Sequence, residues 1–460
     1  MAKSAVPHSK KRWLKAALLE NTAYKVSKLN SPPIDMQRQS GWFGKLDGLA
    51  VGLFGFLVLF GWMNIYATVN PEIDGFGWDW NNEAGRQLLF MGLSAVLILV
   101  VLLSDARLYE ALTVPIYLAT LALLLAVLAV GKEVGGNKSW LELGGFGLQP
   151  SEFAKMGAAL MTARMLSQRG VDLRQWRARW VPAIAAFLPM ALILLQPDTG
   201  SALVFFGFML VFYREGLPGY FIFLGLGAIV VSVLALAFSS TTVLVLIALG
   251  SLVALGLHRL QRRLKFRTVL RHPAIWYGLL AMGWALTVNQ VFNSVLQPHQ
   301  KLRVQLLLGQ VDQPSAAGYQ TAQSLIAIGS GGFVGKGYMQ GTQTRLNFVP
   351  AQTTDYIFCT VGEEWGFMGS LIVLLAFAGL IGRILYLAER QKEAFSRIYG
   401  FGIASILLIH FLVNIGMTLG LVPVIGIPLP FFSYGGSSLW AFTLMLFIFL
   451  RLDSQRWNTL

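Results

Sequence analysis

Residues 47–68 read DGLAVGLFGFLVLFGWMNIYAT: one aspartate, then 21 residues without a charged side chain. Their apolar residues do not keep to one face of a helix but fill every side of it, so the segment belongs in hydrocarbon or in a deep core. At about 1.5 Å per residue it spans the roughly 30 Å of a bilayer interior. Eleven further apolar runs follow, at about 86–104, 110–131, 150–167, 181–195, 199–213, 219–237, 241–257, 273–290, 366–388, 398–420 and 431–451. The expected fold is therefore an all-α polytopic membrane protein of about twelve transmembrane helices. The short fifth and sixth runs flank Gln196-Pro197-Asp198-Thr199-Gly200, which reads as a helix–turn–helix at one membrane face.

Composition points the same way. The 460 residues are 55% hydrophobic and only 13% charged, whereas soluble domains carry about 25% charged residues. A water-soluble enzyme, a disordered chain and a nucleic-acid-binding protein are all excluded. A single cysteine, Cys359, leaves no intrachain disulfide or thiolate metal cluster. Residues 1–46 are polar and basic without an early apolar core, so they read as a cytoplasmic segment and not as a cleaved signal peptide; residues 47–460 form the membrane domain.

The net charge of +14 is mostly an orientation signal. With the N-terminus inside, the inner loops hold Arg164, Arg169, Arg174, Arg177 and Arg179, then Arg259, Arg262, Arg263, Lys265, Arg267 and Arg271, then Arg383, Arg390, Lys392 and Arg397. The first outer loop instead carries Glu72, Asp74, Asp79 and Glu83. Cytoplasmic loops are enriched in Lys and Arg, so both termini are expected in the cytoplasm. One connection is exceptional: residues 291–365, all expected outside, mix apolar residues with Gly-rich turns. Loops of this length are usually functional or disordered, and this one is not low-complexity. Leu325-Ile326-Ala327-Ile328 is too short to span and is expected to dip into the outer leaflet or pack on helix ends. Thr353-Thr354-Asp355-Tyr356 places a carboxylate just before an apolar helix. Two readings stand: Asp355 as an N-cap, or as a general base at a membrane-facing site.

The run GYQTAQSLIAIGSGGFVGKGYMQGTQTRLNFVPAQTTDYIFCTVGEEWG, 318–366, resembles the outer loop of the SEDS family (shape, elongation, division and sporulation), and its elongation branch, RodA, more than its division branch. Asn137-Lys138-Ser139-Trp140 followed by Gln149-Pro150-Ser151-Glu152, then Gln196-Pro197-Asp198, then Pro428-Leu429-Pro430-Phe431-Phe432-Ser433-Tyr434-Gly435-Gly436, match in family order. The resemblance implies a peptidoglycan glycosyltransferase of the bacterial cytoplasmic membrane. It would polymerise lipid II, an undecaprenyl-pyrophosphoryl disaccharide pentapeptide, at the outer face beside a class B penicillin-binding protein. Asp355 lies at the family's essential loop aspartate. There are two departures: the family usually has ten spans, so two helices are inserted around 238–290, and Ala351 stands where relatives often have Glu.

The implied reaction displaces undecaprenyl pyrophosphate from C1 of one sugar by the 4-hydroxyl of another, with inversion. It needs a base, positive charge for the pyrophosphate and an apolar path, but no covalent nucleophile. Asp355 is the expected catalytic residue. Lys138, Trp140, Arg303 and Lys336 are the expected substrate-binding residues, although Trp140 also suits an interfacial belt and Arg303 and Lys336 each suit a solvated loop. Glu152 and Lys155, three apart on one helix, read as a structural ion pair, with each other or with a neighbouring helix, and secondly as shaping the cavity; Asp198 reads as a helix cap, and Ser433 belongs to a closely packed helix start. Scattered histidines and the absence of HExxH and GxxxxGKS/T leave no resident metal or nucleotide site evident, though Mg or Mn could bridge pyrophosphate and Asp355. The alternative function, a lipid II flippase, calls for ionisable residues strung through the bilayer centre and for internal repeats; the span midpoints are nearly charge-free.

Overall fold

A computed structural model describes residues 46–70, 79–134, 137–143, 146–262, 273–294, 296–310 and 316–456. The basic segment 1–45, Glu72 and Asp74, and the cations Arg263, Lys265, Arg267 and Arg271 lie outside the described residues. In chain order the helices are α1 (Gly48–Val69), α2 (Glu83–Leu103), α3 (Ala106–Ala111), α4 (Thr113–Val130), α5 (Pro150–Leu166), α6 (Trp176–Leu194), α7 (Thr199–Val204) and α8 (Phe208–Arg214). They continue as α9 (Tyr220–Ala237), α10 (Ser240–Arg262), α11 (Pro273–Ser294), α12 (Pro298–Leu307), α13 (Ala316–Ser330), α14 (Thr342–Arg345), α15 (Ile357–Glu389), α16 (Ala394–Thr418) and α17 (Gly436–Gln455). Each of the twelve apolar runs coincides with helix. Among the described residues nine helices are long and apolar enough to cross a membrane, and Thr199–Arg214 is a shorter apolar unit. The chain is a multi-span α-helical membrane protein.

The helices fall into a centre and a periphery. In α17, 83% of the most apolar stretch is buried, against 6% in α9 and in α10. α17 packs on α2 and α5, and α15 on α16, α1 and α13. α9, α10 and α11 pack chiefly on one another and share a small core of Ala235, Val243 and Ala285.

Two features outside the long helices depart from the all-helical expectation or refine it. Between α4 and α5 lies a three-stranded antiparallel meander, β1 (Lys132–Val134), β2 (Asn137–Leu143) and β3 (Phe146–Leu148), with Lys132 opposite Trp140 and Leu141 opposite Leu148. The long loop is largely helical: α13 absorbs Leu325–Ile328 and lies on the helix ends, where Ser324 Oγ donates to the Thr418 carbonyl at 3.0 Å. Its glycines have a specific task. α15 breaks at Gly366 (φ 62°, ψ −157°), and backbone N–H groups of the loop donate to carbonyls near the break, Lys336 to Glu363 and Gly337 to Glu364, both at 3.0 Å. In return Phe367 N donates to Gly332 O at 2.9 Å. A Cβ at Gly335 would sit 2.2 Å from the Glu364 oxygen, so only glycine lets the two backbones meet. Broken membrane helices need such partners for their freed backbone groups.

Candidate active site

Asp355 occupies the last turn before α15. Ala351 starts that turn with φ 56°, and its carbonyl accepts from Thr354 N and Tyr356 N, both at 3.2 Å. The N-cap reading of Asp355 does not hold: the residue at the cap is Tyr356, and no side chain caps α15. The carboxylate is spared for another role because the helix begins one residue later.

The backbone around Asp355 is fastened to the segment between α16 and α17. Ser433 Oγ donates to the Thr354 carbonyl at 2.6 Å and accepts from Leu429 N at 2.9 Å. Tyr434 N donates to the Thr353 carbonyl at 2.8 Å. Asn414, on α16, donates to the carbonyls of Asp355 (2.9 Å) and Ile427 (2.7 Å). Gly426 (φ 77°) lies against the carboxylate, since a Cβ there would be 3.4 Å from Asp355 Oδ2. Ser433 therefore precedes the last helix and ties the loop, while the close packing expected at that helix start falls to Gly436 against the Phe90 ring.

Two further expected residues share this neighbourhood. Arg303, on α12, donates to the Val424 carbonyl at 3.1 Å. Asp198 caps α7 through Ser201 N at 3.0 Å and accepts from Gln149 Nε2 at 3.2 Å, so the Gln-Pro-Asp and Gln-Pro-Ser-Glu motifs meet. Burial pushes the Asp355 carboxyl up to about 6; the Arg303 charge opposes this and the Asp198 charge adds to it. A carboxylate so tuned suits a general base near neutral pH. Beside Arg303 a cavity of about 150 Å³ runs between α12, α13 and the 420–424 turn, walled by Leu306, Leu307, Leu325, Val422 and Pro423.

The Glu152–Lys155 pair forms one layer away, at 2.7 Å and with both side chains 1% exposed. Lys155 also meets His410 Nε2 at 2.9 Å, and His410 Nδ1 lies 3.1 Å from the Pro428 carbonyl. His410 and Asn414 were not anticipated; their signal was two polar residues four apart inside an apolar run, hence on one helix face.

Other expected substrate contacts point elsewhere. Lys138 donates to the Leu128 and Ala129 carbonyls at the end of α4, satisfying acceptors a helix terminus leaves open. Trp140 lies in β2 with its ring edge over Gly147. Lys336 pairs with the fully buried Glu363 at 2.7 Å, which also accepts from Gln343 N and Thr344 N. Among the described residues no group of three or more His, Cys, Asp or Glu side chains is set to hold a metal ion. Each Asp198 oxygen accepts one hydrogen bond, from Ser201 N and from Gln149 Nε2.

The sequence matches the model of the cell cycle protein family FTSW_RODA_SPOVE over residues 48–268 and 238–458. The chain belongs to this family, the SEDS proteins. Peptidoglycan glycosyltransferase RodA of Treponema pallidum is 32% identical over 82% of this chain and 90% of its own length. Peptidoglycan glycosyltransferase MrdB of Escherichia coli K12 is 34% identical over 77% and 81% respectively. Among solved structures, a chain from a study of how a peptidoglycan synthase complex coordinates polymerization and crosslinking superposes with TM-score 0.66 at 28% identity, covering 90% of this SEDS chain and 99% of that one. The rod shape determining protein RodA of Thermus thermophilus, crystallised as an aspartate-to-alanine mutant, gives 0.57 at 27% identity, covering 90% and 98%.

Proposed function

We propose that this SEDS protein polymerises peptidoglycan glycan strands from lipid II by inverting glycosyl transfer, for cell-wall elongation. The observation that carries the mechanism is that Arg303, which lines the apolar cavity, holds the Val424 carbonyl two residues before the Gly426 that lies against the Asp355 carboxylate. Asp355 takes the proton from the acceptor 4-hydroxyl as that oxygen attacks C1 of the donor. Arg303 stabilises the charge that grows on the departing pyrophosphate, and the leucines of α12 and α13 accommodate part of the prenyl chain. Lys138, Trp140 and Lys336 serve this site indirectly, by holding the sheet and the loop. The partner is a class B penicillin-binding protein, in line with the synthase complex named for the solved relative. Purified protein given lipid II in detergent is expected to yield glycan polymer; transport confined to sealed vesicles, without polymer, would mark a flippase instead.

The proposed topology has twelve spans in the cytoplasmic membrane, both termini inside and the Asp355 site outside. The family core of ten is interrupted by a helical pair around 238–290, and the two overlapping family matches, which share 238–268, support an insertion there. Cysteines at Asp79 and Thr342 should be labelled in intact cells by an impermeant maleimide, and one at Gln261 should not. The native Cys359 is buried and gives no background. Outside labelling at Gln261 would require a different count.

A further inference from the structure

We infer that Asn414 is a positioning residue for the glycosyl transfer, holding Asp355 in its reactive place through the backbone. Its amide nitrogen is a two-proton donor, and both protons are spent on carbonyls from different parts of the chain: Asp355 at 2.9 Å and Ile427 at 2.7 Å. One side chain thus clamps the catalytic turn to the strand-like segment on which Gly426 touches the carboxylate. The oxygen of the same amide, Asn414 Oδ1, is buried and has no hydrogen-bond partner among the described residues. An unpaired buried acceptor is a cost that an apolar residue would avoid. Asparagine is used because no apolar side chain can donate twice. His410, one turn earlier on the same face of α16, supports the next carbonyl, Pro428, and is itself backed by Lys155. The clamp therefore rests on a rigid buried column and not on the loop alone.

A residue that only stabilises the fold would lower the amount of active enzyme and leave its pH dependence unchanged. A residue that positions Asp355 should move the acid limb of the rate profile. The groups facing Asp355 are Arg303 from α12 and Asp198 at the start of α7, with Tyr356 beside it; from α16, Asn414 itself is uncharged and His410 lies one turn below. None of the charged or titratable groups among them changes in an Asn414 variant. Releasing the turn gives water fuller access to the half-buried carboxylate, so the midpoint of the acid limb should fall toward an ordinary carboxylate value.

The inference rests on Asp355 being the base, which is tested separately by the Asp355 substitution discussed below. For Asn414→Leu, in the complex with its transpeptidase partner, kcat for lipid II polymerisation is expected to fall about 10²-fold with KM within about twofold of wild type. The acid midpoint is expected to shift downward. Asn414→Ser, which keeps one donor and carries the test if the leucine variant does not insert, should lose about tenfold with the same direction of shift. Turnover close to wild type in either folded variant, or a loss of amplitude with an unmoved midpoint, would overturn the positioning role while leaving Asp355 as the base.

Discussion

Asp355→Asn is expected to abolish lipid II polymerisation while expression, membrane insertion and partner binding stay near wild type. The substitution keeps the shape of the side chain and removes only its capacity to accept a proton. Because no side chain caps α15, the helix start does not depend on the carboxylate; Ser433, Tyr434 and Asn414 hold the turn through backbone carbonyls, which the substitution leaves in place. Loss of a general base lowers turnover by about 10²–10⁴-fold. Replacement of a solvent-facing structural carboxylate would cost little, so the outcomes are orders of magnitude apart. The wild-type pH profile supplies an independent check. Burial lifts the Asp355 carboxyl to about 6, and the base works only when ionised, so turnover should fall as pH drops through about 6 and be level above it. An Asp355→Asn enzyme polymerising at the wild-type rate would remove the catalytic assignment.

How much of this was legible in the sequence depends on the range of the interaction involved. The apolar runs were readable because hydrocarbon selects a span by its own composition: all twelve coincide with helix, and among the described residues nine helices are long and apolar enough to cross a membrane. The ion pair was readable because three residues on a helix fix which side chains meet: Glu152 and Lys155 are 2.7 Å apart. The β-meander was not anticipated, although Gly135-Gly136 and Gly144-Gly145 bracket short runs in the manner of hairpin turns; its strands of three to seven residues are too short to compete with the hydropathy signal. Arg303, Asp198, Ser433 and Asp355 were each singled out, but that they converge could not be read, since the convergence depends on how the 424–434 segment folds back over α16. Lys336 and Lys138 show the reverse error. A cation on an outer loop suggests an anionic ligand, yet Glu363, 27 residues on in the chain, and the end of α4 take these two charges first. Tertiary partners of that kind leave no local pattern.

Removing one charge of the Glu152–Lys155 pair should damage the protein more than exchanging both. Each side chain is 1% exposed, and the ammonium is held by the Glu152 carboxylate at 2.7 Å, by His410 at 2.9 Å and by the Phe442 ring at 5.5 Å. Breaking a buried pair leaves an uncompensated charge and costs about 3–5 kcal/mol, which exchanging the charges over the same three-residue spacing largely avoids. The two single changes should also differ. Lys155→Met strands a carboxylate whose Oε2 already has no partner among the described residues, and it withdraws the support under His410. Glu152→Gln leaves Lys155 with His410 and a neutral amide to donate to, so it should be the milder. The expected order of thermal stability in detergent is wild type, then the exchange Glu152→Lys with Lys155→Glu, then Glu152→Gln, then Lys155→Met. Polymerisation should follow the same order, because the Pro428 carbonyl that His410 supports belongs to the segment fastened to the Asp355 turn. If the exchange is as unstable and inactive as Lys155→Met, the two residues do more than neutralise each other, and the orientation of the ammonium toward His410 becomes the property that the fold protects.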